Sequence, residues 1–346
     1  MTFSEKVCIL FVLSHSALFC ISMIKKSIFL TFCVLFSAQI LFAQSSWVTS
    51  RVKDSKDLVA VFFTSENKGF VAGDNGYLGV TNDGGRTWAK QTINSRENIT
   101  EIYFRNDDNG YLVAGTDFFT TRDGGRNWQK TVIFNQNDFR GTTPEFLSIR
   151  FVDKKLGFVI GSVLKEFQGD MIVVDSFVMR TNDGGETWSR VNVPTKAELY
   201  HLDFANSSNG WIVGAGGVIL TTMDSGLNWQ LQKSGTTKDL YNVDFRDSRN
   251  GYIVGEEGVI LRTENGGSFW ETVKTNFPNT FLRVDFADDK NGWIVGKNGT
   301  ILRSSDRGKT WVKQNSGSTE HLFGLYMSKK YGLAVGANGL ILKYQK

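Results

Sequence analysis

The stretch TNDGGRTW, residues 81–88, decides the fold because the chain repeats it. One copy, with an aspartate, two glycines and a tryptophan close together, is compatible with either a binding loop or a turn. The later copies are TRDGGRNW (121–128), TNDGGETW (181–188), TMDSGLNW (222–229), TENGGSFW (263–270) and SSDRGKTW (304–311). A stretch that recurs at a near-constant interval predicts one structural unit used many times.

The tryptophans give the period of this unit. The intervals are 41, 40, 60, 41, 41 and 41 residues between Trp47, Trp88, Trp128, Trp188, Trp229, Trp270 and Trp311. Within one interval the strand-like runs are LYNVDF (240–245), GYIVG (251–255), VILRT (259–263) and WETVK (270–274). Their short polar or glycine-rich links are typical of antiparallel hairpins. Four such strands predict the blade of a β-propeller.

The first strand and the last unit of the repeated region together make one complete blade. The last unit (321–344) stops after its third strand, whereas SSWVTSRV (45–52) carries a tryptophan with no strands before it. We therefore predict an all-β, seven-bladed propeller of four-stranded antiparallel blades, closed by the N-terminal strand in the last blade, which removes open sheet edges. The expected blades of this single domain (44–346) span approximately 58–93, 99–133, 146–193, 199–233, 240–274, 281–314 and 322–346.

Residues 1–43 have the pattern of an export signal. From Met23 the chain has two lysines, an apolar run and Leu41-Phe42-Ala43, which predicts a true start at Met23 and Sec cleavage after Ala43. A membrane-anchored hairpin is the alternative for the apolar run in residues 1–22. We expect a monomer in the periplasm or outside the cell (or in a lumen-like compartment of a phototroph), with no membrane insertion after cleavage.

Composition excludes several functions of the exported chain. All three cysteines lie in the leader, so disulfides, cysteine nucleophiles and cysteine-ligated zinc are excluded. Loss of the leader lowers the formal charge from +4 to +2, whereas nucleic-acid binding is typical of a strong basic excess. We predict no cofactor, no metal and no nucleic-acid partner.

The repeated stretch, called the Asp box below, has the chemistry of a turn. Its glycines tolerate positive φ, and Asp83 can accept hydrogen bonds from N–H groups of its own loop. Asn265 replaces the aspartate in one copy, and Ser225 or Arg307 replaces a glycine in others, which a turn tolerates and a metal site does not. We predict a structural role for Asp83, Trp88, Asp123, Trp128, Asp183, Trp188, Asp224, Trp229, Asn265, Trp270, Asp306 and Trp311.

The box resembles the Asp box of bacterial neuraminidase repeats, and GWIVGAGGVILTTMDSGLNW (210–229) resembles the photosystem II stability/assembly factor family. The resemblance covers roughly residues 45–346. Members of that family are seven-bladed propellers of the thylakoid lumen that bind a reaction-centre precursor. The resemblance implies a non-catalytic scaffold for a protein client, such as a membrane-protein complex. It does not imply a photosystem role, because homologues occur in bacteria without photosynthesis.

Blade three is the first candidate site, since it exceeds the period by about 19 residues. The extra length falls in 134–145 and 162–176, two connections that should open on the face opposite the Asp boxes. Loops on a rigid scaffold often carry binding, although tolerated loop drift is the alternative. The candidate residues are Asp138, Arg140, Glu166 and Phe167.

The central channel is the second candidate. Alternation places the third and fifth residues of each blade's first strand on the channel face, where we expect polar side chains to stay hydrated. Three aspartates at equivalent positions near a histidine suggest acid–base chemistry or a cation site, with repeat copying as the alternative. The residues are Arg150, His201, Asp203, Asp244, Arg283 and Asp285.

A basic set is the third candidate. Arg180, Arg262 and Arg303 each stand directly before an Asp box, and Lys343 matches them in the last blade. The resemblance suggests a comparison with the arginine-rich patch by which the assembly factors are thought to meet their client. Ordinary solvated surface charge is the alternative.

A glycan-binding or glycoside hydrolase propeller is the alternative function. Sialidases need three arginines on the substrate carboxylate and a tyrosine nucleophile activated by glutamate. Xyloglucanases with Asp boxes place paired acids between two propellers, and this chain has room for one. We therefore expect that the protein is not an enzyme.

Overall fold

The computed structural model describes residues 47–54 and 56–345. In this part of the chain the strands form seven four-stranded antiparallel sheets, which confirms the predicted seven-bladed propeller. The predicted signal peptide and cleavage site fall on residues 1–46, outside the described residues, and stay predictions.

The strands follow the chain order, blade by blade. The N-terminal strand and blades one to three comprise β1 (Trp47–Arg51), β2 (Leu58–Phe63), β3 (Gly69–Gly73), β4 (Tyr77–Thr81), β5 (Ala89–Gln91), β6 (Ile99–Phe104), β7 (Gly110–Ala114), β8 (Asp117–Thr121), β9 (Gln129–Thr131), β10 (Thr143–Phe151), β11 (Gly157–Phe167), β12 (Asp170–Thr181) and β13 (Ser189–Val191). Blades four and five comprise β14 (Leu199–Phe204), β15 (Gly210–Gly214), β16 (Ile219–Thr222), β17 (Gln230–Gln232), β18 (Leu240–Phe245), β19 (Gly251–Gly255), β20 (Ile260–Thr263) and β21 (Glu271–Thr272). Blades six and seven comprise β22 (Phe281–Phe286), β23 (Gly292–Gly296), β24 (Thr300–Ser304), β25 (Val312–Gln314), β26 (Leu322–Met327), β27 (Gly332–Gly336) and β28 (Leu340–Tyr344).

Helical structure in the described residues is limited to short turns. Single 3-10 turns cover Asp74–Gly76, Gln136–Phe139, Ala215–Gly217, Glu256–Gly258 and Ala337–Gly339. Across the same ranges, no helix is long and apolar enough to cross a bilayer.

The N-terminal strand closes the ring as predicted. β1 pairs with β28 in antiparallel register, with Trp47 opposite Tyr344 and Arg51 opposite Leu340, and so becomes the fourth strand of blade seven. The Trp47 indole donates a hydrogen bond to Gln314 Oε1 in blade six at 3.0 Å. The closing strand is therefore held both by its own sheet and by the neighbouring blade.

Aromatic rings join neighbouring blades. Trp211, in the second strand of blade four, stacks on Phe245 of blade five with ring centroids 3.8 Å apart. The box tryptophan of blade five, Trp270, packs edge-on against the same phenylalanine at 5.8 Å. The same stack recurs in the pairs Phe70–Phe104, Tyr111–Phe151, Phe158–Phe204 and Tyr252–Phe286. The apolar core therefore lies mainly between the blades, where large ring areas are removed from water.

Blade three differs from the others because its insertions form strands. β11 has 11 residues and β12 has 12, whereas the corresponding strands of the other blades have four or five. Thr143 and Glu145 of the first insertion pair with Leu164 and Ser162 of the second, so the two insertions extend one sheet. Beyond this pairing, residues 165–173 form a hairpin tip.

Candidate functional site

The Asp box is a hydrogen-bonded turn. In the first copy, Asp83 accepts bonds from the Thr87 backbone N–H at 2.9 Å, from the Thr87 hydroxyl at 2.6 Å and from the Thr81 hydroxyl at 2.7 Å. The Thr81 hydroxyl in turn accepts the Gly85 N–H at 2.9 Å. The bonds from Thr87, its hydroxyl first, hold the pKa of Asp83 well below its usual value. The carboxylate is thus occupied by its own loop.

The copies that depart from the box pattern form the same kind of turn. In blade five, Asn265 Oδ1 still accepts the Phe269 N–H at 3.1 Å. Its amide nitrogen cannot accept a second bond, and Phe269 stands where the other copies have a threonine or asparagine that donates one. Ser225 and Arg307 take the place of a glycine with φ of 61° and 66°. The geometry of the turn is kept in each case.

Three members of the basic set, Arg180, Arg262 and Lys343, bind the Asp box of the next blade. The Nε atoms of Arg180 and Arg262 donate to the carbonyls of Ser225 and Arg307 in the next blade at 2.9 and 3.0 Å. Lys343 donates to the carbonyl of Gly84 in blade one at 2.8 Å. Arg262 is only 5% exposed, so its side chain does not contribute a surface charge.

Arg303 differs because the next blade in the ring, blade seven, has no Asp box. Blade seven lacks a box loop between β28 and β1, since these two strands lie at opposite ends of the described chain. Arg303 instead lies over the Trp293 ring at 5.3 Å, and its Nε is buried without a partner among the described residues. The junction between blades six and seven therefore lacks the bond that Arg180, Arg262 and Lys343 each make to the box of the next blade.

The channel contains a cavity of about 290 Å³ with two different sides. Blades seven, one and two line it with the aromatic residues Tyr326, Phe62 and Tyr103. Blades three to six line it with the predicted residues Arg150, His201, Asp203, Asp244, Arg283 and Asp285. The structure therefore brings the channel candidates together on one side.

Arg150 is the centre of the charged side. It pairs with Glu101 Oε1, lies 3.8 Å from Asp203 Oδ1 and contacts His201 Nε2 at 3.1 Å. The neighbouring carboxylates of Glu101 and Asp203 raise the pKa of Arg150 against the effect of burial. Burial first, and then Arg150 and Arg283, lower the pKa of His201 well below its usual value, so the imidazole is neutral.

Several channel side chains link one blade to the next. Asp203 accepts the Phe245 N–H at 2.7 Å, and Asp285 accepts the Met327 N–H at 2.6 Å. His201 is 4% exposed, and Ser148 at an equivalent position is 1% exposed. The expectation of hydrated side chains at these two positions is therefore wrong, because both side chains are buried.

Asp244 has no such link. Its Oδ2 atom is buried and makes no hydrogen bond to any residue that the structure describes. Burial, followed by the nearby carboxylates of Asp285 and Asp203, raises the pKa of Asp244 well above its usual value. Burial also raises the pKa of Asp285 to about 6, against the Met327 N–H and Arg246. Ionised Asp244 therefore weakens the fold.

The variant Asp244→Asn is expected to raise the free energy of unfolding at neutral pH by about 1–2 kcal/mol, because an amide needs no counter-charge. A carboxyl with a raised folded-state pKa costs stability once the pH exceeds the unfolded value of about 4. Stability of the unmodified chain should thus fall as pH rises above about 4, and less steeply in the variant. Urea unfolding at a series of pH values measures both effects.

Asp203→Asn is the matched control. Asp203 occupies the equivalent position one blade earlier, but it lies beside Arg150 and accepts a backbone bond. Burial outweighs Arg150 and raises the pKa of Asp203 as well, so we expect this change to raise stability less than Asp244→Asn does, because it also removes a counter-charge of Arg150. Equal shifts of both variants in the same direction would contradict the assignment of Asp244 as the unsatisfied carboxylate.

The blade-three candidates occupy two places. Asp138 lies in the 3-10 turn Gln136–Phe139, and Arg140 follows it and bonds to Asn137 Oδ1 at 2.9 Å. Glu166 and Phe167 lie at the hairpin tip, opposite Met171 and Asp170. Sequence reasoning missed the apolar character of the tip, which the run MIVV (171–174) indicates.

Metal binding has no support from the geometry. In the ranges 47–54 and 56–345, no group of three or more His, Cys, Asp or Glu side chains is arranged to hold a metal ion.

Comparison with known proteins gives one family. The family model for Photosynthesis system II assembly factor YCF48 matches residues 141–231, 180–278, 228–315 and 277–345. A comparison with curated proteins finds no match.

Several solved structures share the fold. A structure of YCF48 bound to D1 peptide is 20% identical, with a TM-score of 0.71, over 88% of this chain and 98% of that one. YCF48 from Cyanidioschyzon merolae is 20% identical, with a TM-score of 0.68, over 87% of this chain and 99% of that one. The GH74 xyloglucanase from Xanthomonas campestris is 12% identical, with a TM-score of 0.63, over 86% of this chain and 53% of that one. At these identities the structural likeness establishes the fold alone.

Proposed function

Because the chain belongs to the Photosynthesis system II assembly factor YCF48 family, we propose that it binds a client protein through the hairpin tip of blade three. A relative in the same family is known in complex with a D1 peptide, which supports a protein client here. The signal-peptide pattern of the leader supports a site of action outside the cytoplasm, so the client is sought among envelope proteins.

The exposed apolar tip is the observation that carries the proposal. Phe167, Met171, Ile172 and Val173 are 56%, 52%, 40% and 38% exposed. An isolated two-stranded hairpin gains little stability from water-exposed apolar side chains, so such a cluster is typical of an interaction surface. No other blade has an extension of this kind in the described residues.

The hairpin also offers an open strand edge. β12 pairs with β13 only at residues 178–180, and Arg190 donates to the Ser176 carbonyl, so the open part of the β12 edge runs from Asp170 to Val174. An extended peptide that adds to such an edge gains backbone hydrogen bonds, while its side chains meet the apolar residues. The proposed client segment is therefore extended and carries apolar residues.

The proposed binding is non-catalytic. Asp203 and Asp285 accept backbone N–H groups, and Arg150 is paired with Glu101, so these channel groups serve inter-blade contacts. Hydrolysis of a sialyl or β-glucan substrate by the purified protein, lost on Asp244→Asn, would contradict this part of the proposal.

A capture experiment with a matched control tests the proposal. The triple variant Phe167→Ser, Met171→Ser, Ile172→Ser is expected to recover at least about tenfold less client from envelope extract, the effect of losing two or three apolar contacts. The control is the triple variant Met223→Ser, Leu227→Ser, Phe269→Ser, which removes apolar residues of 70%, 58% and 67% exposure from the Asp boxes of blades four and five. Equal recovery by both variants would overturn the assignment of the hairpin.

A further inference from the structure

Two polar side chains of the channel have hydrogen-bond donors that the fold does not use. Asn242 in blade five and Arg283 in blade six occupy the third position of adjacent first strands, and both line the 290 Å³ cavity. Each lies two residues before an aspartate of its own strand, Asp244 or Asp285, and therefore on the same face of the sheet.

The amide orientation of Asn242 is fixed by its neighbour. Asn242 accepts the Val284 backbone N–H at 3.0 Å, so the atom at that contact must be the amide oxygen. The Asn242 side chain is buried, with 3% of its surface exposed. Its Nδ2 atom, which carries two N–H groups, makes no hydrogen bond to any residue in the described ranges.

Arg283 is the unpaired cation of the channel. Its one hydrogen bond among the described residues runs from NH1 to the carbonyl of Leu282, the preceding residue, at 2.9 Å. No carboxylate of this part of the chain lies within ion-pair distance of it, whereas Arg150 has Glu101 and Asp203. A guanidinium offers five N–H donors, so most of those on Arg283 remain open to the cavity.

We propose that Arg283 and Asn242 bind a carboxylate in the channel, either that of a small organic acid or that of a polypeptide C-terminus. Charge-assisted bonds from a guanidinium and an amide are a donor set that matches the two oxygens of a carboxylate. Glu101, the acid at the equivalent strand position of blade two, is already occupied by Arg150 and by the Ile149 N–H. An anion at Arg283 therefore enters without displacing an internal partner.

A polypeptide C-terminus as the ligand rests on the proposed protein-binding function, whereas a small organic acid does not. The two ligands therefore need separate probes. Sodium acetate represents the small acid. Acetyl-Ala-Ala-Ala with a free carboxyl represents a chain terminus, and the same peptide as its C-terminal amide lacks the charge.

The experiment measures binding of these probes by calorimetry to the full chain and to three variants. Arg283→Gln removes the cation. Asn242→Asp keeps an acceptor for the Val284 N–H, as the Glu101 carboxylate does for Ile149, but it gives Arg283 an internal carboxylate. Arg249→Gln, at an exposed loop residue of blade five, is the control.

We expect each channel variant to weaken binding of a carboxylate probe by at least about tenfold, the effect of one lost charge-assisted hydrogen bond. Arg249→Gln should leave binding unchanged. Binding of the acid peptide in preference to its amide and to acetate assigns the site to a polypeptide terminus, and binding of acetate alone assigns it to a small acid.

Absence of binding by both acids overturns the inference, as does binding that Arg283→Gln and Asn242→Asp leave unchanged. Circular dichroism shows whether Arg283→Gln has folded, and Asn242→Asp supplies the second test if it has not. Client capture that depends on the hairpin tip but not on Arg283 would overturn the polypeptide C-terminus as the ligand and leave the proposed function standing.

Discussion

Trp47→Ala is expected to lower the free energy of unfolding by about 3–5 kcal/mol, the range for removing a buried tryptophan from a packed core. Trp47 is 7% exposed and packs against Tyr344 with ring centroids 5.3 Å apart. Its loss also leaves Gln314 Oε1 without the 3.0 Å indole bond. The effect should be large because β1 reaches blade seven without a covalent connection to it. Urea unfolding followed by circular dichroism measures the change.

Val48→Ala is the control for Trp47. Val48 is the next residue of the same strand and is 42% exposed, so its truncation should change stability by less than about 0.5 kcal/mol. The urea m-value scales with the surface exposed on unfolding, so it distinguishes local opening of β1 from unfolding of the whole propeller. A Trp47→Ala variant as stable as Val48→Ala would show that ring closure does not depend on the indole.

Arg150→Met is expected to cost about 3–5 kcal/mol, the range for removing one partner of a buried ion pair. The change leaves Glu101 and Asp203 near each other without the cation that lies between them. It also removes the contact of the guanidinium with the Tyr103 ring at 5.3 Å. Methionine fills part of the volume, so the loss reports mainly the charge.

A second substitution distinguishes charge from packing at this position. Glu101→Gln in the Arg150→Met background should recover part of the lost stability, because it removes one of the two unpaired carboxylates. Arg122→Met is the surface control: its partner Glu186 is exposed, and exposed pairs contribute about 0–1 kcal/mol. No recovery in the double variant would indicate that volume, rather than charge, makes Arg150 important.

The propeller could be predicted because each blade repeats the same local signals. The Asp box, the glycine-bounded second strand and the tryptophan recur at one period. A strand assigned wrongly in one repeat therefore does not change the fold that the other repeats indicate. The truncated last repeat and the isolated Trp47 together indicated the closure that the pairing with Tyr344 confirms. Strand alternation was also sufficient to place Asp203, Asp244 and Asp285 on the channel.

The partners of the candidate side chains could not be predicted in the same way. Arg262 donates to Arg307, which lies in the next blade, and no pattern within one repeat indicates that contact. For the same reason, the sequence does not separate Asp244 from Asp203, although one is unsatisfied and the other accepts a backbone N–H. Equivalent positions therefore differ through their neighbours, not through their own residue type.

The register of β1 determines how the ring responds to mechanical load. Trp47 and Tyr344 lie opposite each other at the same end of the β1–β28 pair, and the chain leaves this pair from both residues on that side. Tension applied through the two ends would therefore unzip the pair from Trp47 toward Arg51, one backbone bond at a time, instead of shearing all its bonds together. The packing of Trp47 on Tyr344 stands at the first point that such a force reaches.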